Sequence, residues 1–421
     1  MKGFKKRAIA LAACAAVTAG VLVGMSGCTS NDDTTNTIFL YPINYYGIEG
    51  KAFTSRWDGM KGALTEAGWQ ITGDGQRDSQ QFKVTRTASC TMPEDTQIVI
   101  VNNQTWSTDL ALTDKLLEYR PIGVVSTCNG VEFCAERIYA NSPGTENATM
   151  ASFSTSYKTA FQDGTLQFMM SKYSASVAPI VAAVYSAVTT GSRMVDSEGY
   201  PLHLTQSYWT VDSYEKYQEM EQYDIITGTQ PTIMKADMDA VLGDYTKFAN
   251  FVSTYTSSYE KVKTLVEKHK TENTTDTKAT TASFKIGLLV PNSINDSVQA
   301  YLDFIEGYLK DVYNYTTQRF SVSGTVNQET AADQACNAGC TAIISLQDDT
   351  DRYAACQKAQ DKNVWFAIAG ACVYGTTEWD NLASCTNYVG SVGTSLDDEY
   401  QAGYDMVKRY IDKINARGAV S

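Results

Sequence analysis

Histidine is nearly absent from this chain. Only His203 and His269 occur in 421 residues, and neither accompanies a Gly-x-Ser-x-Gly turn or a comparable nucleophile signature. A histidine-based catalytic triad therefore has no visible material. A zinc cluster is equally poorly supplied, because no Cys-x-x-Cys pair is present. No Gly-x-x-x-x-Gly-Lys loop and no Gly-x-Gly-x-x-Gly turn exists to cradle a nucleotide phosphate. Paired carboxylates occur, but adjacency alone does not make a glycosidase. Positive charge is scarce too: 34 Lys and Arg stand against 47 Asp and Glu, a net charge of −13. That excludes the basic face that nucleic-acid binding needs and reads as a solvated acidic surface. The expectation is a protein that is not an enzyme, with no cofactor, no metal and no nucleic-acid partner.

What is present begins with an export signal. Lys2, Lys5, Lys6 and Arg7 precede an apolar run over 8–23, and Met25-Ser26-Gly27-Cys28 follows. This has the form of a bacterial lipoprotein signal over 1–27, with Cys28 as the lipidated residue; an ordinary signal peptide with an incidental cysteine is the alternative. Residues 28–37 are Thr, Asn and Asp without apolar period, a flexible tether. No later stretch is long and apolar enough to span a bilayer. The expected location is the outer face of the cell membrane, held by lipid. Without Cys14 and Cys28, eight cysteines remain. An even number in an exported protein suggests disulfides, and short loops favour Cys128–Cys134 and Cys372–Cys385.

The rest of the chain alternates strand and helix signals, the pattern of a parallel sheet with helices on both faces. The clearest unit lies at 284–307, an apolar run FKIGLLV, a break at Pro291-Asn292, a polar loop, then Val298, Tyr301, Leu302, Ile305 and Leu309 at helical spacing. The same plan occurs near the start, where an apolar run at 37–41 precedes a helix carrying Phe53, Trp57, Met60, Ala63 and Leu64 on one face. Further strands are expected at 69–72, 97–101, 121–126 and 166–170, and an apolar helix at 177–188. The stretch 202–209 is mixed, 210–223 reads as helical, and 237–270 as one long helix with a weak point at Gly243. Five strand–helix units follow 284, with a cysteine-bearing loop expected over 371–386. A Thr-rich segment, 271–281, is the expected linker between a first lobe, 38–270, and a second, 282–421. Both are expected to be doubly wound and Rossmann-like, α/β throughout, with a hinged cleft between them.

At this point the chain resembles the type I periplasmic solute-binding proteins of the ribose and galactose kind. KIGLLVPNSIND, TAIISLQDDTDRYAACQKAQDKNV and YVGSVGTSLDDEYQAG are similar to that family's N-terminal lobe. SRWDGMKGALTEAGW, IVIVNNQTWSTDLAL, IGVVSTCNG and DGTLQFMMSKYSASVAPIVAAVYSAVTTG are similar to its C-terminal lobe. The lobe order is therefore reversed, which a circular permutation explains economically; a fusion of partial repeats is the rival account.

The resemblance implies a monomer that binds a small ligand, a sugar foremost, and hands it to an ABC transporter permease. It places Arg56 where the family has a ligand-binding arginine, Asn103 at an Asn-Asp position, Asn129 beside Cys128 where an aspartate is usual, and Lys172 where a glutamine is common. Asn44, Asn292, Asn295, Asp296, Gln347 and Asp348 lie on strand-end loops, and Tyr45, Tyr46, Trp106 and Tyr374 are candidate rings to stack on a sugar. Each has a plainer reading. Arg56 can be a salt-bridged helix residue, the Asn and Asp residues caps, and the tyrosines packing groups among 26. Two other roles stay open: a receptor feeding a membrane sensor, and a structural surface lipoprotein with a vestigial cleft.

Overall fold

The backbone follows the alternation of apolar runs and helical spacing closely. The structure, a computed structural model, describes residues 38–42, 51–72, 83–86, 98–102, 123–126, 146–171, 177–224, 232–280, 284–291, 296–323, 326–346 and 352–418. In chain order the first half contains β1 (Ile38–Pro42), α1 (Lys51–Glu66), β2 (Trp69–Thr72), β3 (Lys83–Arg86), β4 (Ile98–Asn102), β5 (Gly123–Ser126), β6 (Glu146–Met150), α2 (Thr155–Gln162), β7 (Phe168–Ser171) and α3 (Val177–Thr190). Then come β8 (Leu202–Thr205), β9 (Trp209–Val211), α4 (Tyr214–Glu221), α5 (Lys235–Asp239), α6 (Tyr245–Tyr255) and α7 (Tyr259–Glu272). The second half contains β10 (Phe284–Pro291), α8 (Asp296–Tyr313), β11 (Tyr315–Val322), α9 (Gln328–Asn337), β12 (Ala342–Ser345), α10 (Arg352–Asp361), β13 (Trp365–Ala371), α11 (Thr377–Ser384), β14 (Tyr388–Thr394) and α12 (Leu396–Gly418).

These strands make two six-stranded sheets, in the orders β1-β4-β5-β6-β7-β9 and β11-β10-β12-β13-β14-β8. The second is parallel throughout, and its first five strands follow the 2-1-3-4-5 order of a doubly wound lobe. The first is parallel except for β9, which returns antiparallel to β7. β2 and β3 pair antiparallel as a separate ribbon. The fold class is thus α/β with two doubly wound lobes.

Alternation along β10 shows how the second sheet is sandwiched. Ile286, Leu288 and Val290 face a core shared with α3, α8 and β8, while Leu289 faces α9, α10 and α11. Gly287 sits on the latter face, where a Cβ would lie 2.9 Å from that of Ala335. A glycine there lets α9 approach the sheet. A separate core joins Trp57, Met60 and Leu64 of α1 to Met150, Phe168 and Met170 of the first sheet and to Met406, Val407 and Ile411 of α12.

Several elements differ from the sequence expectation. β6, with the sequence Glu-Asn-Ala-Thr-Met, was not expected to be a strand, because its polar residues hide it. The buried Asn147 side chain donates to the Thr165 carbonyl at 2.7 Å, and its backbone N–H donates to Gln167 Oε1 at 2.7 Å. Internal bonding thus replaces hydrophobicity. The single helix expected over 237–270 is α5, α6 and α7. Gly243 at φ +86° breaks it, and Asp244 caps α6 through the Lys247 N–H. The loop expected over 371–386 contains α11, capped by Thr376 with Glu378 and Asp380 in its first turn. The mixed stretch 202–209 and the start of the helix expected at 210–223 become β8 and β9, three residues apart and in opposite sheets.

Candidate functional site

The carboxyl ends of parallel strands are where a doubly wound sheet offers a ligand its crevice. In the second sheet the ends of β13 and β14 meet α1 of the first lobe. Ala371, Cys372, Val373, Thr376, Thr394 and Leu396 line a small cavity there with Arg352 and Ala52. Its volume is about 10 Å³, room for about one water.

Arg352 opens α10 and Glu378 lies in the first turn of α11. Arg352 donates from Nε and Nη2 to the two carboxylate oxygens of Glu378, at 3.1 and 2.7 Å. Both side chains are almost wholly buried, at 3% and 5% exposure. A bidentate pair out of water is geometrically exacting and costly to break. It fixes the two helix starts against each other at the cavity wall. Sequence reasoning missed both residues; the arginine's place at the start of a helix was the only signal.

Beside the cavity lies the joint between lobes. Glu399 of α12 is 1% exposed and has Arg56, Tyr208 and Thr394 among its partners. Arg56 of α1 pairs with it at 2.9 Å, the Tyr208 hydroxyl donates to it at 2.6 Å, and the Thr394 hydroxyl donates at 2.5 Å. Ser55 adds a bond from its hydroxyl to the Leu396 carbonyl at 2.6 Å. Ser395 and Asp398 close a reciprocal cap on α12. The Gln206 N–H donates to the Gly393 carbonyl at 2.8 Å, tying the β8–β9 crossing to the end of β14. α1 and α12 run so close that a Cβ on Gly59 would lie 1.9 Å from the Tyr400 carbonyl oxygen, and one on Gly403 2.0 Å from that of Arg56.

Of the residues singled out from sequence, Arg56 is described in full and stands in this joint. Asp296 begins α8. Asn44, Tyr45, Tyr46, Asn103, Trp106, Asn129, Lys172, Asn292, Asn295, Gln347 and Asp348 lie outside the described residues, as do Cys28, Cys128 and Cys134. Tyr374 follows β13 and is 56% exposed. Its ring stacks on His203 at 4.4 Å, with Trp379 edge-on at 5.3 Å.

The Cys372–Cys385 pairing is corrected: both thiols are free. Cys372 N–H bonds the Thr394 carbonyl at one end of β14, and Cys385 precedes Tyr388 at the other. Seven residues of strand separate those ends by about 20 Å, far beyond disulfide reach. Closeness in sequence misled because β14 and α11 lie between.

Among the described residues no cluster of His, Cys, Asp and Glu suits a metal, and no helix is long and apolar enough to cross a membrane. No family model matches the sequence, and no curated protein matches it. Among solved structures the chain is similar to a carbohydrate transporter solute-binding protein from Agrobacterium radiobacter in complex with D-arabinose. That match has 8% identity over 91% of this chain and 90% of that one, with a TM-score of 0.45. It is also similar to the periplasmic component of an ABC-type sugar transport system from Hahella chejuensis, at 9% identity, 90% and 94% coverage and a TM-score of 0.42. A third is an ABC transporter solute-binding protein from Clostridium phytofermentas with bound L-rhamnose, at 9% identity, 91% and 83% coverage and a TM-score of 0.41. The α/β fold follows from the strand order of the two sheets, apart from these likenesses.

Proposed function

We propose that this chain is a lipid-anchored, extracytoplasmic solute-binding protein that takes a small polar ligand, foremost a sugar, into the cleft between its lobes and presents it to an ABC transporter permease. One observation carries the reading: the candidate polar and aromatic residues follow the carboxyl ends of parallel strands in both sheets. Asn44, Tyr45 and Tyr46 come after β1, Asn103 and Trp106 after β4, Asn129 after β5 and Lys172 after β7. Asn292 and Asn295 come after β10, and Gln347 and Asp348 after β12.

Parallel pairing brings strand ends to one edge of each sheet. Amide, carboxylate and ring side chains that follow such strands in the sequence suit the hydroxyls and apolar faces of a sugar. Arg56 enters this reading as a ligand residue that Glu399 holds in place, and Cys28 as the lipid attachment point. The joint at Glu399 is the hinge about which closure would signal the loaded state. The reversed lobe order is a circular permutation: α1 and α12 lie side by side, so α12 stands as the helix that would precede β1 in the unpermuted order.

The test is a thermal-shift screen of the folded, ligand-free protein against pentoses, hexoses, nucleosides and amino acids. A compound that binds only the native state raises the melting temperature by mass action. A rise confined to one class of sugar is expected. No rise with any compound would remove the binding reading.

A further inference from the structure

The second lobe carries Cys336, Cys340, Cys356, Cys372 and Cys385 as free thiols, all buried except the half-buried Cys336, and the binding reading uses none of them. We propose that Cys356 and Cys385 form a disulfide that ties α10 to the end of α11, the two helices that carry Arg352 and Glu378 to the cavity wall.

The geometry singles out this pair. Cys356 lies on α10, one turn beyond Arg352, and is wholly buried; Cys385 caps the end of α11 and is 2% exposed. Both belong to the same core cluster, each thiol perturbs the ionisation of the other, and Cys385 Sγ lies 3.9 Å from the Asn381 carbonyl oxygen. The flanking backbone is fixed in the same arrangement. Gln360, one turn beyond Cys356 on the same face of α10, accepts from the Thr386 N–H and, at 3.1 Å, from the Thr386 hydroxyl. The Tyr388 N–H donates to the Cys385 carbonyl at 3.1 Å. Arg193 donates to the carbonyls of Cys385 and Tyr388, so the chain on either side of the Cys385 turn is anchored. Two cysteines of one core cluster, on elements pinned together by Gln360 and Thr386, are not divided by the length of strand that defeats Cys372–Cys385.

The chemistry is asymmetric in a way that suits thiol–disulfide exchange. The contact with Cys356 and the nearby Arg193 guanidinium pull the Cys385 thiol below its ordinary range, while burial pushes Cys356 well above its own. With a small disulfide such as glutathione disulfide as oxidant, the Cys385 thiolate attacks one sulfur and displaces one glutathione thiolate. The mixed disulfide is then resolved by Cys356, which loses its proton to solvent, bonds to the Cys385 sulfur and expels the second glutathione thiolate. Two protein thiols are oxidised and one disulfide is reduced to two thiols. The exchange takes place before the end of α11 closes over the pair.

The inference is independent of the ligand, and its test is peptide mapping. The full chain, reduced and unfolded, is refolded in glutathione disulfide, then denatured, alkylated with iodoacetamide and digested without reductant. A cross-linked peptide joining Cys356 to Cys385, two hydrogens lighter than its separate halves, is expected. Recovery of both cysteines in alkylated form, or of either joined to a different cysteine, would overturn the assignment. As a second measurement, oxidised protein should melt several degrees above reduced protein. That difference should vanish in Cys356→Ser and in Cys385→Ser but persist in Cys372→Ser. A difference that survives in Cys356→Ser also overturns it. Should a variant fail to fold, the mapping of the natural chain decides.

Discussion

The two sheets reach the same size by different means. The second is completed by β8, a parallel strand from the other half of the chain, whereas the first is completed by β9, which turns back antiparallel. The helices are exchanged as well. α3, from the first half of the chain, packs on β13 and β14, and α12, from the second half, packs along α1. Gly390 shows how closely the borrowed strand is fitted. At φ +134° it faces Leu202 where a Cβ would lie 2.4 Å from the Leu202 carbonyl oxygen, a backbone state and a clearance that only glycine supplies. The lesson is that a lobe here is not a contiguous stretch of sequence. The segment 271–281, expected as the boundary, starts within the last turn of α7 and leads to β10, while the sheets exchange material well before and after it.

The sharpest way to break this comparison is to remove the exchanged helix. A chain ending at Ser395 loses α12 and uncovers Trp57, Met60 and Leu64. Loss of cooperative unfolding is expected in both lobes, followed by circular dichroism during heating. If the second lobe kept its own transition, the two lobes would be separable after all.

Next in size is the buried joint. Glu399 holds Arg56, Tyr208 and Thr394 where water is excluded. Glu399→Ala removes the buried carboxylate that these groups share, and breaking a buried pair from one side typically costs about 3–5 kcal/mol. Urea unfolding measures this directly. Glu399→Gln should cost less, since it keeps the shape and a hydrogen-bond acceptor. Equal effects of the two substitutions would mean that packing, and not charge, holds the joint.

How much of this was legible in advance depended on what each residue has to do. Apolar runs such as those of β10 and β12 announce themselves, because a strand buried on both faces needs continuous hydrophobicity. β6 did not, because Asn147 and Thr149 are buried through hydrogen bonding and leave no hydrophobic trace. The exchange of β8 and β9 was hidden for another reason. Whether a four-residue strand joins one sheet or the other is decided by partners nearly two hundred residues away, as with Leu202 against Gly390. At the site, Arg56 stood out from the motif around it, and its buried partner Glu399 did not. An acidic residue in the first turn of a helix ordinarily reads as a cap or a dipole partner. Arg352 and Glu378 were passed over for the same reason, since their pairing depends on how two helix starts meet.

The smallest expected effect comes from a second glutamate that also ties two elements together, but at the surface and away from the joint. Glu219 of α4 accepts from the Tyr259 hydroxyl at 2.8 Å and from Lys263 Nζ at 2.6 Å, both on α7, with Lys216 at 3.3 Å. The Lys263 contact, then Tyr259, holds the carboxyl down at about 2, against 4.5 ordinarily. A depressed acid pKa gives stability that is present above the unfolded value and lost as pH falls from about 4.5 through about 2. Glu219 is 37% exposed, so solvent and salt weaken the tie, and exposed pairs contribute at most about 1 kcal/mol. Glu219→Gln should therefore cost little at pH 7 in moderate salt and flatten the loss of stability between pH 5 and pH 2. Melting temperatures across that range, at low and high salt, measure it. A loss at neutral pH as large as that of Glu399→Ala would show that the surface tie and the buried tie stabilise the fold equally, and that burial is not what separates them.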